Sequence, residues 1–212
     1  MARPISLTLA PTASVANAVC LIQTPVGAGA LTINGTLATA GIATLDLPRH
    51  LLITTAVDDH ARTLAITGTD RFGNVMTTTT AAPNATTKIV TGYNFKTITG
   101  ITIDAASAGA ITIGTANSLD SAWLALDWIA ATDTTITVTL SSGASLTFAV
   151  QSTIDPIQSK TFAESTANTM TTTLLGTASM QATLIDPLRA LRLALSAFVS
   201  GSATIQILAR TR

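Results

Sequence analysis

The stretch "RTLAITGTDRFGNVMTTTT", residues 62–80, decides the fold. Leu64 and Ile66 alternate with small or hydroxylated neighbours, the two-residue period of a strand that buries one face. Four successive threonines end the stretch, and a β-branched hydroxyl side chain suits the solvated face of a pleated sheet without adding charge. Between the two runs stands "DRFGN", in which Asp70, Gly73 and Asn74 supply turn dihedrals. The segment therefore predicts a strand, a turn and a returning strand. A calcium loop built on Asp58, Asp59 and Asp70 is the rival reading, but Asp70 sits beside the cationic Arg71 and a hard cation needs several oxygens at fixed spacing. A mucin-like stalk is the other rival. With strands on both sides, "VMTTTTAAPNATTK" reads as the second arm of the hairpin and its turn.

The same alternation runs through the chain at Ile5, Leu7, Leu9; Ile101, Ile103; Ile111, Ile113; Ile136, Val138, Leu140; Leu146, Phe148, Val150; and Ile205, Ile207. Turn signals such as "VDDHA", "AAPNA" and "DAASAGA" separate the runs at the spacing of sandwiches and barrels. The expected fold is all-β, two tandem β-sandwich modules of Ig-like or jelly-roll-like type with little helix. "DPLRALRLALSAF", from Asp186, has a helix cap and Pro187 at the first helical position, whereas Leu191, Leu193 and Leu195 favour a strand. An internal repeat favours the strand, because "TGITIDAASAGAITIG" and "LRLALSAFVSGSATIQIL" match Ile101 and Ile103 with Leu193 and Leu195, and Ile111 and Ile113 with Ile205 and Ile207. Upstream, "TLAITGTDRFGNVMTTTTA" parallels "TTITVTLSSGASLTFAVQS" as two strands around a glycine-containing turn. The expected modules are residues 1–118, with an apolar uncharged N-terminal arm, and residues 119–212, opened by a strand "WLALDW" and carrying a long loop near residues 155–176. Trp123 and Trp128 would face opposite sides of that strand.

Composition narrows the chemistry. Of 212 residues 47% are apolar and only 10% are charged, with zero net charge, so no electrostatic footprint for nucleic acid or an anionic membrane is expected. Apolar runs such as "VANAVCLI" are too short and too broken for a membrane helix, and no signal-peptide pattern opens the chain. From Pro4 to Leu45 the one ionisable side chain is Cys20. A stretch so neutral is expected to meet protein, as an interface or a buried arm. Cys20 itself reads as a small buried apolar residue. The two histidines, His50 and His60, read as exposed turn residues, and Glu164 is the single glutamate. No catalytic, phosphate-binding or metal motif appears, so no enzyme activity, cofactor or metal is expected. "NGT" at Asn34 and "NAT" at Asn84 match a glycosylation pattern, which means little without a secretory signal.

Several phrases together resemble the small structural proteins of tailed bacteriophages: "QTP" at Gln23, "LTING" at Leu31, "ATLD" with "PR" from Ala43 to Arg49, "ITGTD" with "GN" from Ile66 to Asn74, and "FKT" at Phe95. The resemblance covers residues 19–115 and continues more weakly to the closing pair of strands. It departs from the family pattern at Arg71 and Phe72 in the hairpin turn. The phrases hold turn and strand residues and no catalytic group. The resemblance implies a virion component, assembled in the host bacterial cytoplasm. The leading expectation is a capsid decoration or cement protein, a homo-oligomer that binds the major capsid protein or other virion proteins. Its expected interface is the N-terminal run Arg3, Ile5, Leu7 and Leu9. The alternative is a neck, tail or fibre component that touches the host surface.

Overall fold

Residues 4–85, 87–126, 131–158, 167–184 and 188–211 are described by a computed structural model, in which every regular element is a strand. In chain order these are β1 (Ile5–Leu9), β2 (Cys20–Gln23), β3 (Gly29–Ala30), β4 (Ala38–Thr39), β5 (Ile42–Arg49), β6 (Leu51–Thr55), β7 (Thr63–Thr69), β8 (Val75–Ala81), β9 (Ile89–Val90), β10 (Phe95–Ile103) and β11 (Ile111–Thr115). There follow β12 (Leu119–Asp120), β13 (Leu124–Ala125), β14 (Ala131–Leu140), β15 (Phe148–Thr153), β16 (Met170–Gly176), β17 (Met180–Leu184), β18 (Ala190–Leu195) and β19 (Ala203–Thr211). The pairings among β1 to β11 and among β13 to β19, with β1 on β19, are antiparallel.

The chain divides into two compact units, Ser14–Leu119 and Asp120–Arg212 joined by Met1–Ala13. In the first unit one sheet runs β4-β5-β10-β7-β8, with β3 also on β10, and the other runs β2-β11-β6-β9. Leu64, Ile66, Phe95, Ile98 and Ile101 of the first sheet and Cys20, Leu51, Ile53, Ile111 and Ile113 of the second form one core, all at 0–1% exposure. That core between two sheets makes the unit a β-sandwich. In the second unit the sheets run β12-β18-β15-β16, with β13 also on β18, and β1-β19-β14-β17. Phe148, Val150, Leu191, Leu193 and Leu195 of one sheet, and Ile136, Val138, Ile205 and Ile207 of the other, are buried.

The two units have one topology. β10 and β18 occupy the middle of one sheet and lead directly into β11 and β19, which occupy the middle of the other. The residue matches also coincide: Ile66 faces Ile101 and Leu64 faces Ile103, as Val150 faces Leu193 and Phe148 faces Leu195. Across the second sheets, Ile53 faces Ile113 as Ile136 faces Ile207.

This register corrects two expectations. "TTITVTLSSGASLTFAVQS" is not a hairpin, because β14 pairs with β17 and β19 while β15 pairs with β16 and β18 in the other sheet. Its counterpart is "LLITTAVDDHARTLAITG", one strand earlier than the sequence comparison placed it. The true repeat of the hairpin is "LAITGTD" with "NVMTTTT" against "FAVQSTID" with "NTMTTTL". Gly68 faces Met76 and Thr67 faces Thr77, as Ser152 faces Met170 and Gln151 faces Thr171. Alternating apolar residues fit several strand pairs equally well, so periodicity alone cannot fix which strand matches which.

The modules are also not strictly tandem. β1 pairs with β19 from Ile5↔Ile207 to Leu9↔Ala203, so the N-terminal arm is a strand of the second unit and the first unit is inserted after it. The expected loop at 155–176 is shorter, since Met170–Gly176 is strand β16. Of "WLALDW" only Leu124–Ala125 is strand, and Trp128 lies outside the described residues. The contested segment from Asp186 contains strand β18, while Asp186 and Pro187 also lie outside the described residues.

The opening hairpin is as its sequence suggests. β7 and β8 pair without interruption from Thr63↔Ala81 to Thr69↔Val75, and Gly73 takes a left-handed φ of 84° in the turn. Gly68 has a different duty: a Cβ there would lie 2.0 Å from the Thr97 carbonyl oxygen and 2.9 Å from a Phe95 ring carbon. Gly68→Ala is expected to destabilise the first unit by roughly 2 kcal/mol through overpacking. Gly27→Ala, with nothing within 4 Å, should change stability by less than about 0.5 kcal/mol. Denaturant unfolding of both variants checks the contrast.

Candidate interaction surface

The phrases "QTP", "LTING", "ATLD" and "FKT" meet one another in the first unit. Gln23 acts as a surrogate backbone. Its Oε1 accepts the Thr32 amide at 2.9 Å and its Nε2 donates to the Thr32 carbonyl at 3.0 Å. Asn34 Oδ1 accepts the Leu21 amide at 2.9 Å, and the Gly35 amide donates to the Val19 carbonyl at 2.9 Å. The "QTP" and "LTING" segments are thereby tied together where main-chain pairing alone is sparse. In the same way Lys96 of "FKT" donates through Nζ to the Leu45 carbonyl at 2.6 Å and the Asp46 carbonyl at 3.0 Å, both in "ATLD".

Arg49, ending "ATLD" with "PR", is fully buried. It donates to the Ala116 carbonyl and lies 3.5 Å from Asp46 Oδ1. Burial lowers its pKa and the neighbouring Asp46 carboxylate opposes that shift. Breaking such a buried pair leaves an uncompensated charge, so the pair locks the end of β5.

Of the carboxylates considered for calcium, Asp58 and Asp70 are held by donors of their own turns, and Asp59 by an amide from the connection between β10 and β11. Asp58 Oδ1 pairs with His60 Nδ1 at 2.7 Å, both well exposed, and this bond holds the Asp58 carboxyl below its usual range. Asp59 is buried at 3% exposure and its Oδ1 accepts the Ala108 amide at 2.7 Å. Asp70 Oδ1 accepts the amides of Phe72 at 2.8 Å and Asn74 at 2.9 Å, and its Oδ2 accepts Asn74 Nδ2 at 3.0 Å. Among the described residues no group of three or more His, Cys, Asp or Glu side chains gathers. His50 departs from its expected exposure: it is half-buried and its Nδ1 pairs with the Thr91 carbonyl oxygen. Cys20 is fully buried, and burial pushes its thiol up to about 12.

The second unit repeats the Asp70–Asn74 clamp at the equivalent hairpin. Asp155 Oδ2 accepts the Asn168 amide at 2.7 Å, and Asn168 Nδ2 donates to Asp155 Oδ1 at 3.1 Å. The sequence signal was present in both copies, an aspartate followed by N-x-M-T-T-T. A second cluster lies on the outer face of β18, where Arg192 Nε donates to Gln151 Oε1 at 2.7 Å and Nη1 lies 3.3 Å from Asp120 Oδ2. The Arg192 guanidinium stacks 4.7 Å from the centre of the Trp123 ring. These residues share no sequence motif and are assembled by topology alone.

Of the expected interface residues, Arg3 lies outside the described residues. Ile5 and Leu7 are half-buried and Leu9 is buried, alternating with exposed Ser6 and Thr8. β1 is an edge strand, so its apolar row faces its own sandwich and its outer edge carries no neighbour in the sheet. The neutral stretch is otherwise largely open. Residues 12–17 and most of residues 21–30 are exposed, with Ile22 at 72% and Val26 at 96%. This is an uncharged surface strip with bare aliphatic side chains, held in place by Gln23 and Asn34.

No protein-family model and no curated protein matches this chain. A solved structure, the PBSX exported protein XepA, is similar over 96% of this chain and 86% of its own length, at 10% identity and a TM-score of 0.28. A likeness that low bears on neither fold nor role.

The Asp155 clamp has a pH signature. Hydrogen bonds from the Asn168 amide and side chain hold the carboxyl below the ordinary aspartate range. Its contribution is therefore present above the unfolded-state pKa and is lost as pH falls through the lower folded value. In Asn168→Ala the side-chain bond goes while the amide bond stays, so carboxyl NMR titration should show the Asp155 pKa move part of the way back up.

Proposed function

We propose that the chain is a non-enzymatic structural protein of a bacteriophage virion, most specifically a decoration or cement protein of the head. The observation that carries this reading is the exposed, charge-free strip of residues 21–30, where Ile22 and Val26 stand open on a segment tied down by Gln23 and Asn34. A protein that clamps a shell needs a rigid body and a docking face with little desolvation cost, and uncharged aliphatic and hydroxyl groups meet that need. The titratable side chains support the same reading, because Asp46, Asp58, Asp59, Asp70, Asp120 and Asp155 all hold local structure. The phage resemblance of the phrases around Gln23, Leu31 and Ala43 supplies the context. The partner under this reading is the major capsid protein, met by residues 21–30 and by the open edge of β1.

A neck, tail or fibre role is the second reading. It is favoured by the hairpin end closed by Asp155 and Asn168, where Ile154 is 64% and Met170 62% exposed. Cryo-electron microscopy of the particle separates the two, since density on the shell is expected and density confined to the tail or portal vertex would sink the head assignment. The docking face is tested by Ile22→Asp combined with Val26→Asp. Both side chains are exposed, so the fold should persist while binding to purified heads weakens by about tenfold or more in cosedimentation.

A further inference from the structure

We infer that β8 is a self-association edge, pairing antiparallel with β8 of a second copy of this chain. The inference stands whether the protein decorates a head or a tail. β8 is the last strand of its sheet, so alternate amides and carbonyls along its outer side have no strand partner within the unit. Soluble proteins protect such edges by charge, proline, bulges or brevity. β8 has none of these. It spans Val75–Ala81, contains no charged residue and no proline, and pairs with β7 through seven unbroken positions.

Its counterpart in the second unit shows the contrast. β16 carries the same N-x-M-T-T-T sequence, yet its register on β15 shifts between Ala149 and Gln151, which bulges the strand around residues 172–174. The other edges are shorter: β4, β9 and β12 have two residues each, β2 has four, and β1 and β17 have five. The regular, neutral edge is thus present in one copy of the repeat and broken in the other.

The sequence of β8 is self-complementary about Thr78. A twofold axis there sets Thr78 against Thr78, Thr77 against Thr79, Met76 against Thr80 and Val75 against Ala81. Val75, 77% exposed, would then lie against an aliphatic partner. The threonine row extends a ladder the sheet already uses, with hydroxyl contacts of 3.1 Å between Thr67 and Thr77 and 2.7 Å between Thr69 and Thr97. Pairing is isologous, so it closes at a dimer. With no charge on either strand, association meets no like-charge penalty.

Sedimentation velocity of the full chain across a concentration series tests this, expecting a monomer–dimer equilibrium. Thr77→Lys with Thr79→Lys puts like charges opposite each other twice across the axis, at two exposed positions, and should weaken the dimer by about a hundredfold. Thr77→Glu with Thr79→Glu should do the same alone, and mixing the Lys and Glu variants should restore the dimer. Thr171→Lys with Thr173→Lys, on the bulged edge, should leave it intact. A native chain that stays monomeric throughout, a Lys variant that dimerises as the native chain does, or a mixture that fails to associate overturns the inference.

Discussion

Each unit is organised by one covalent constraint: two consecutive strands that leave the middle of one sheet and enter the middle of the other. β10 runs into β11 and β18 into β19, and the remaining strands are added outward from these four. Their inward residues, Ile101, Ile103, Ile111 and Ile113 in one unit and Leu193, Leu195, Ile205 and Ile207 in the other, are at most 3% exposed. Burying a side chain of this kind contributes roughly 1.5–3 kcal/mol, so the crossing supplies much of the sheet-to-sheet adhesion. The connection also fixes topology, because a short turn cannot let the two strands pair with each other when their neighbours already occupy both sides.

Within that frame the surface can be neutral. Threonine hydroxyls bond across strands, as in Thr8 with Thr204 at 2.8 Å and Thr54 with Thr112 at 2.7 Å, and replace the ion pairs that usually cover a sheet. Several charges sit at corners and strand ends, with Arg49 at the end of β5 and Asp70 and Asp155 at the two hairpins, while Arg192 lies within β18 against the Trp123 ring. Charge spent on internal order leaves strips such as residues 21–30 bare, and that is where a docking role is read.

The all-β class was legible because Leu64, Ile66 and their counterparts keep a strict two-residue period. The hairpin at residues 62–80 was legible because Asp70 and Gly73 state its turn. The crossing repeat was legible because both copies keep two apolar pairs around a small-residue turn. The place of β1 was not, since Ile5, Leu7 and Leu9 would suit any sheet edge and the choice of β19 is a long-range matter of shape. The second hairpin was hidden by the longer connection between Asp155 and Asn168, which breaks the spacing that links Asp70 to Asn74. Gln23, Asn34 and Lys96 could be read as shared phrases, but their partners are carbonyls and amides, which carry no sequence identity.

The crossing of β18 into β19 is flanked on its outer side by β1, which the second unit takes from the far end of the chain. Amide hydrogen exchange of Leu9→Asp, which sets a charge at a buried position of β1, tests this arrangement most directly. Faster exchange is predicted through β14, β18 and β19, with β2, β6, β7, β10 and β11 unchanged. Exchange that quickens in the strands of Ser14–Leu119, or in neither unit, would contradict it.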